Sequence, residues 1–166
     1  MNLLIQLYTY GLMLQQDFPS LSVFDVVSDD SQILEHLKAF TQHDIGLFIV
    51  EPEIPKEGNQ DQWQDVAYMQ FLIVKKISDR ITLKEEMQIK NTLYNLAYEL
   101  DLKMQRHKEG TEGLTYTFST EDDTLPDEDV ACYLMRHLEV KSIQKTPVSM
   151  MKTYVGWSIN FKIKLQ

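Results

Sequence analysis

The chain lacks most of the features on which a sequence-based assignment of chemistry rests. Its single cysteine, Cys132, excludes an internal disulfide bond and suits a reducing compartment such as the cytoplasm. Its six glycines never fall in the spacing of a phosphate- or dinucleotide-binding loop, and no Gly-x-Ser-x-Gly hydrolase motif occurs. None of its four histidines forms a His-x-His or His-x-x-x-His pair. The sequence therefore predicts no catalytic residue, no metal site and no cofactor, and a protein that is not an enzyme.

Long apolar runs and early positive charges are also missing. No stretch approaches the roughly 18 consecutive apolar residues of a membrane-spanning helix. No lysine or arginine precedes Lys38, and no small-x-small cleavage motif follows the apolar start of the chain. We therefore expect neither a membrane span nor a secretion signal, and a cytoplasmic location.

What the chain does contain is a globular composition with an uneven distribution of charge. Apolar residues make up 43% and charged residues 25%, which predicts one folded domain over residues 1–166. The formal net charge is −9, yet residues 139–166 hold five lysines against one glutamate. An anionic chain is a poor ligand for nucleic acid, so we expect no nucleic-acid binding. Opposed acidic and basic regions favour a protein partner or self-association.

The hydrophobic pattern predicts an α+β fold. Helical periodicity covers residues 2–16, the segment from the capping residues 28–31 to about 40, and residues 81–107; apolar or alternating runs predict strands at 21–27, 46–50, 66–74, 114–118, 133–145 and 148–165. In the last run, large apolar side chains, Trp157 among them, occupy every odd position from 155 to 165 and form a buried face. We expect the terminal hairpin to turn near Pro147 and a loop over residues 51–65. Because helices and strands neither alternate nor segregate, we expect a mostly antiparallel sheet of about five to six strands with two to three helices packed on one face.

Two polar segments and the last strand supply candidate interaction residues. Trp63 lies in the polar segment 51–65, where a large aromatic side chain is either tucked beneath the loop or presented to a partner. Lys162 and Lys164 lie on the polar face of the last strand and offer positive charge to an acidic surface. Segment 121–129 has neither the ligand spacing nor the glycine of a calcium loop, so we expect a solvated loop or an acidic surface for a basic partner. Its candidates are Asp122, Asp123, Asp127, Glu128 and Asp129.

The layout of the elements resembles a family of viral proteins. An N-terminal helix, a sheet-forming middle with a long helix, and the ending over residues 154–161 are similar to the small tail-completion, or tail-terminator, proteins of bacteriophages and prophages. The resemblance implies a non-catalytic α+β subunit that forms a ring at the head-proximal end of the tail tube, and hence a virion component. It carries over no functional residue, because the final strand is its only local motif.

The same features leave two further functions open. An adaptor or immunity-type protein would use the acidic body of the chain to bind a basic partner, and its association would be fast and sensitive to salt. A small-ligand binding module, or an enzyme of unrecognised type, would use a pocket formed by a curved antiparallel sheet and its helices. The sequence favours a structural or interaction protein over an enzyme, because it names no converging set of polar groups.

Overall fold

The computed structural model describes residues 3–58, 64–110 and 134–165. The elements follow along the chain in the order α1 (Leu3–Asp17), β1 (Val23–Val27), α2 (Asp30–Lys38), β2 (Ile45–Glu53), β3 (Lys56–Glu57), β4 (Gln64–Lys76), α3 (Leu83–Glu109), β5 (Leu138–Met150) and β6 (Tyr154–Lys164). A short helical segment over residues 134–136 precedes β5. The strand predicted at 114–118, the acidic segment 121–129, Trp63 and Cys132 lie outside the described residues.

A six-stranded sheet forms the centre of the fold. Its order is β1-β2-β4-β6-β5, and the short β3 pairs with the start of β4. β1 and β2 are parallel, and the other pairs are antiparallel. β4 and β6, the strands with the longest apolar patterns, take interior positions with both edges paired. The predicted α+β fold with a mostly antiparallel sheet is confirmed.

The helices cover the two faces of the sheet unequally. α1 and α3 pack on one face, and their buried side chains join the larger core with Phe71 and Ile159 of the central strands. α2 packs on the opposite face over β1 and β2, where Ile33 and Leu37 meet Phe48 in a smaller core. The prediction of two to three helices on one face is confirmed by α1 and α3, and α2 lies on the other face.

Both ends of α3 are held by the residues that flank it. The hydroxyl of Thr82 accepts a hydrogen bond from the backbone N–H of Glu85, and the Glu85 carboxylate accepts one from the backbone N–H of Thr82, which together form a capping box. Gly110, with a φ of 67°, ends the helix in the left-handed conformation that glycine adopts without strain. The helix lies two residues further along the chain than the periodicity predicted.

The terminal hairpin turns at a different place from the one predicted. β5 continues through Pro147 to Met150, and residues 151–153 form the turn, where Met151 and Lys152 have φ values of 51° and 60°. The prediction of a turn near Pro147 is wrong because β5 lies at the edge of the sheet. An edge strand tolerates a residue that has no backbone N–H.

The predicted loop over residues 51–65 is in part strand. β2 extends to Glu53, β3 covers Lys56–Glu57, and β4 begins at Gln64. The polar composition concealed these strand ends, because Glu51 and Glu53 lie in β2 with their side chains exposed. A shift in the pairing between Val50 and Glu53 marks the point at which β2 becomes irregular.

The packed side of α1 differs from the one that its sequence predicts, because it includes Tyr10 and leaves Leu4 and Tyr8 exposed. The apolar pattern predicts a packed side with Leu4, Leu7, Tyr8, Met13 and Leu14. Leu7, Met13 and Leu14 are buried, whereas Leu4 and Tyr8 are 41% and 40% exposed. α1 approaches β1 closely at Gly11, where a Cβ atom would lie 2.1 Å from the ring of Phe24. α1 therefore rests over β1 with part of its apolar surface open.

Trp157 lies on the predicted face of β6 and is half-buried. Its Nε1 donates a hydrogen bond to the carbonyl oxygen of Lys90 at 2.9 Å, and its ring meets Tyr94 with the centroids 4.9 Å apart. These two contacts fasten α3 to β6, and they leave Tyr94 partly exposed on the outer side of the helix.

Candidate functional site

The sheet ends in two strands that are each paired on one side. β1 stands at one end and β5 at the other, and no strand of the described residues pairs with the outer edge of either. Four strand spacings of about 4.8 Å separate them, so the two edges lie about 19 Å apart. We call residues 21–44 the β1 end and residues 134–153 the β5 end.

Acidic side chains dominate the β1 end. It holds five carboxylates against one lysine. Asp29 accepts hydrogen bonds from the Ser31 hydroxyl and from the backbone N–H groups of Gln32 and Ser31. These bonds hold the pKa of the Asp29 carboxyl below its usual value. Asp30 follows it and is also exposed. The two carboxylates give the end of β1 a negative surface.

Two further carboxylates of the β1 end are fixed in position by their neighbours. Asp44 accepts hydrogen bonds from the backbone N–H and the hydroxyl of Thr41 at 2.7 and 2.8 Å and from the Ser22 hydroxyl at 2.9 Å, which lowers its pKa. A carboxylate oxygen of Asp25 lies 2.8 Å from Nε2 of His36. The negative surface therefore has a defined geometry.

Basic side chains dominate the β5 end. It holds four lysines or arginines against one glutamate. Arg136, Lys141 and Lys152 are exposed. Lys145 instead turns back to α3, where it pairs with the buried carboxylate of Asp101. The two ends of one sheet thus carry charge of opposite sign.

A bulge divides β5 into two parts. The pairing with β6 shifts between Glu139, which faces Lys162, and Gln144, which faces Asn160. The Ser142 hydroxyl fastens the bulge, because it accepts a hydrogen bond from the backbone N–H of Lys162 at 2.8 Å and donates one to the Glu139 carbonyl oxygen at 2.6 Å. Beyond the bulge, residues 144–150 pair with β6 in an unbroken register.

The sheet face opposite α1 and α3 carries a polar groove of about 530 Å³. Its lining includes Glu51, Glu53, Gln70, Asn160 and Lys162. Nζ of Lys162 lies 2.9 Å from a carboxylate oxygen of Glu57 and 4.6 Å from the ring centroid of Tyr68. Lys162 is therefore already engaged within its own chain.

A second cleft, of about 640 Å³, lies between the end of β4 and the start of α3. Lys75, Lys76 and Arg80 contribute to its lining. Nζ of Lys75 donates to the Gln42 carbonyl oxygen at 2.6 Å, and Nζ of Lys76 donates to the Phe40 carbonyl oxygen at 3.2 Å. Burial lowers the pKa of Lys75. The two lysines hold the segment after α2 against β4 by these hydrogen bonds. Their positions in the cleft are therefore explained by contacts within the fold.

Of the residues that the sequence predicts for interaction, Lys162 and Lys164 lie in the described part of the chain. Both belong to β6, an interior strand, and neither is on a sheet edge. Lys164 is exposed and Lys162 is half-buried. Trp63 and the five candidate carboxylates of segment 121–129 lie outside the described residues.

Sequence reasoning missed the β1 end as an acidic surface. Its carboxylates are scattered between residues 25 and 44 and form no run, whereas segment 121–129 is conspicuously dense in them. One signal was present, because no lysine or arginine precedes Lys38. The strand order that gathers these residues at one edge is not visible in the sequence.

No protein-family model matches the chain, and no curated protein is significantly similar to it in sequence. Within residues 3–58, 64–110 and 134–165, no group of three or more His, Cys, Asp or Glu side chains is placed to hold a metal ion. Among the helices of these same ranges, none has the length and apolar character that crossing a bilayer requires.

Proposed function

We propose that this protein is a non-enzymatic structural subunit that associates head to tail with further copies of itself. The observation that carries the proposal is the opposite charge of the two ends of one sheet. Contact between the β1 end of one copy and the β5 end of the next sets carboxylates against basic side chains. A two-fold contact would join like ends and set like charges against each other, which costs free energy. Charge therefore favours a head-to-tail contact over a two-fold one.

A head-to-tail contact repeats from copy to copy until the assembly closes. It generates a ring when the rotation between neighbours closes the circle, and an open filament when it does not. The resemblance to tail-completion proteins of phages and prophages favours the ring, which would sit at the head-proximal end of a tail tube. Such a subunit would be made in the cytoplasm and become part of the virion.

Electron microscopy of the associated protein tests this assembly. The full chain is concentrated at low ionic strength, where exposed charges attract most strongly, and imaged in negative stain. We expect closed rings of one diameter. Open filaments would contradict the ring and retain the head-to-tail contact, whereas particles with only two-fold symmetry would contradict both.

The cleft beside α3 favours a second candidate function, a small-ligand binding module. Its volume of about 640 Å³ is within the range of small-molecule sites. Arg80 lines it and would suit an anionic ligand. A thermal-shift screen with phosphate and small carboxylic acids tests this alternative. A ligand that stabilises the wild-type monomer, but not the Arg80→Ala variant, would support binding; the absence of any such shift would leave assembly as the better account.

A further inference from the structure

We propose that β1 of one copy adds to β5 of the next copy, so that one sheet continues through both subunits. This inference rests on the proposed self-association and assigns the surface that performs it. Addition of a strand to a sheet edge supplies main-chain hydrogen bonds, and the neighbouring side chains decide which strand is accepted. The second copy of the chain is thus the partner of the β5 end.

The strand directions favour this contact. β1, β2 and β6 run in one direction, and β4 and β5 run in the other. A second copy in the same orientation therefore presents its β1 antiparallel to β5 of the first. This is the arrangement that already joins β5 to β6, and its hydrogen bonds run perpendicular to the strands.

The rows of paired residues define which parts of the two strands meet. Through β2, β4 and β6, Val23 lies in one row with Val148, and Val27 lies in one row with Gln144. A copy that continues these rows sets its β1 beside residues 144–148. This stretch belongs to the regular part of β5 beyond the bulge. The whole length of β1 therefore faces a regularly paired strand.

Opposite charges lie just beyond the same end of the paired segment. Asp29 and Asp30 follow Val27 by two and three positions, and Lys141 precedes Gln144 by three. In the continued sheet, the acidic pair follows the end of β1 in one copy, and Lys141 lies in the bulge next to Gln144 in its neighbour, so both lie at the same end of the paired segment. All three side chains are exposed in the single chain. The contact therefore combines main-chain pairing with a charge pair at the end of β1.

Other features of β5 restrict the edge to a short and selective pairing. The bulge over residues 140–143 interrupts the strand, and Pro147 removes a backbone N–H. The basic side chains disfavour a second β5 as the partner. Such features protect edge strands from indiscriminate association. A short strand that is followed by carboxylates can still pair with this edge, and β1 is such a strand.

A charge exchange tests the contact. Lys141→Glu and Asp30→Lys are prepared singly and together, and association is followed by sedimentation velocity over a concentration series. Asp30 is chosen because Asp29 caps α2 and its loss would weaken the fold. We expect each single change to raise the concentration needed for association by roughly threefold to tenfold. The double variant should return to the wild-type value, since the pair is restored with its signs exchanged.

Two controls accompany the exchange. Lys84→Glu makes the same change of charge at an exposed position on α3, outside the β1 and β5 ends, and should leave association unchanged. Carbodiimide coupling joins lysines to carboxylates in direct contact, and a mixture of isotope-labelled and unlabelled chains identifies links between copies. We expect a link from Lys141 to Asp29 or Asp30. A link that joins a labelled chain to an unlabelled one lies between copies, whereas a link found only within chains of one label would not support the contact.

The outcomes separate this inference from the proposed function. Strand addition would be overturned, and self-association retained, by three results together. The wild-type chain associates, the double variant does not return to the wild-type value, and no link from Lys141 to Asp29 or Asp30 is found. A wild-type chain that stays monomeric at every concentration would overturn both.

Discussion

Gly156 occupies a position in β6 where a side chain has no room. It pairs with Val74 of β4 on one side and Val148 of β5 on the other. A Cβ atom at this position would lie 2.0 Å from the carbonyl oxygen of Ile73, which is backbone and yields little. The close approach of β4 and β6 therefore depends on this glycine.

We predict that Gly156→Ala destabilises the protein by about 1–3 kcal/mol or more, the usual cost of inserting a methyl group into a packed interior. Urea denaturation followed by circular dichroism measures the effect. Ser149→Ala, at an exposed position of β5, is the matched control and should change the midpoint little. A variant as stable as the wild type would show that the strands separate at no cost.

The pair between Asp101 and Lys145 joins α3 to β5 in a nearly dry environment. The side chains are 6% and 17% exposed. Nε2 of Gln105 donates a further hydrogen bond to Asp101 at 2.7 Å. Because few water molecules reach the pair, each charge depends on the other for its stabilisation.

We predict that Asp101→Ala costs about 3 kcal/mol, because it leaves the ammonium group of Lys145 without its partner. Replacement of both residues, by Asp101→Leu with Lys145→Met, should recover most of that loss. Denaturation of Asp101→Leu, Lys145→Met and the double variant measures the coupling. Single and double variants whose effects simply add would contradict the dependence of one charge on the other.

At the scale of whole elements, α3 depends on its first residues for a defined start. The Thr82 hydroxyl and backbone N–H hold the pKa of Glu85 below its usual value. Ionised Glu85 therefore stabilises the folded protein above the pKa it has in the unfolded chain. This contribution is lost as the pH falls through the lower pKa of the folded state.

We predict that Thr82→Ala destabilises the protein by about 1 kcal/mol at neutral pH, the usual effect of losing an N-cap side chain. The difference in the free energy of unfolding between this variant and the wild type should become smaller on acidification, because the Thr82 hydroxyl no longer stabilises an ionised Glu85 carboxylate. Urea denaturation at neutral and acid pH checks both statements. Thr92→Ala, within the helix, provides the control without a cap. A difference that is independent of pH would contradict the role given to the capping box.

The sequence predicts best the elements whose hydrophobic period is long and regular. The alternation in β6 and the apolar stripe of α3 are periodic over many residues, and both elements form where the patterns place them. The turn of the terminal hairpin escaped prediction because Met151 and Lys152 take a left-handed conformation that neither residue type signals. Pro147 gave the wrong signal, since its effect depends on whether the strand lies at an edge.

At the scale of the molecule, the candidate interaction surface depends on strand order, which sequence patterns do not contain. The sequence predicts a basic C-terminal region, and the structure places its residues both on the interior strand β6 and on the edge strand β5. The acidic β1 end becomes a surface only because β1 stands at the opposite edge. Charge separation along the chain was thus visible, but its direction across the sheet was not.

The central claim is that these oppositely charged ends hold copies of the chain together. Light scattering measures it most directly, with the solution mass followed over a concentration series at low and high salt. The account predicts a discrete oligomer at low salt that dissociates as salt screens the contact between the two ends. A strict monomer at every concentration, at low salt as well as high, would contradict it and favour an adaptor for a basic partner or a ligand-binding module.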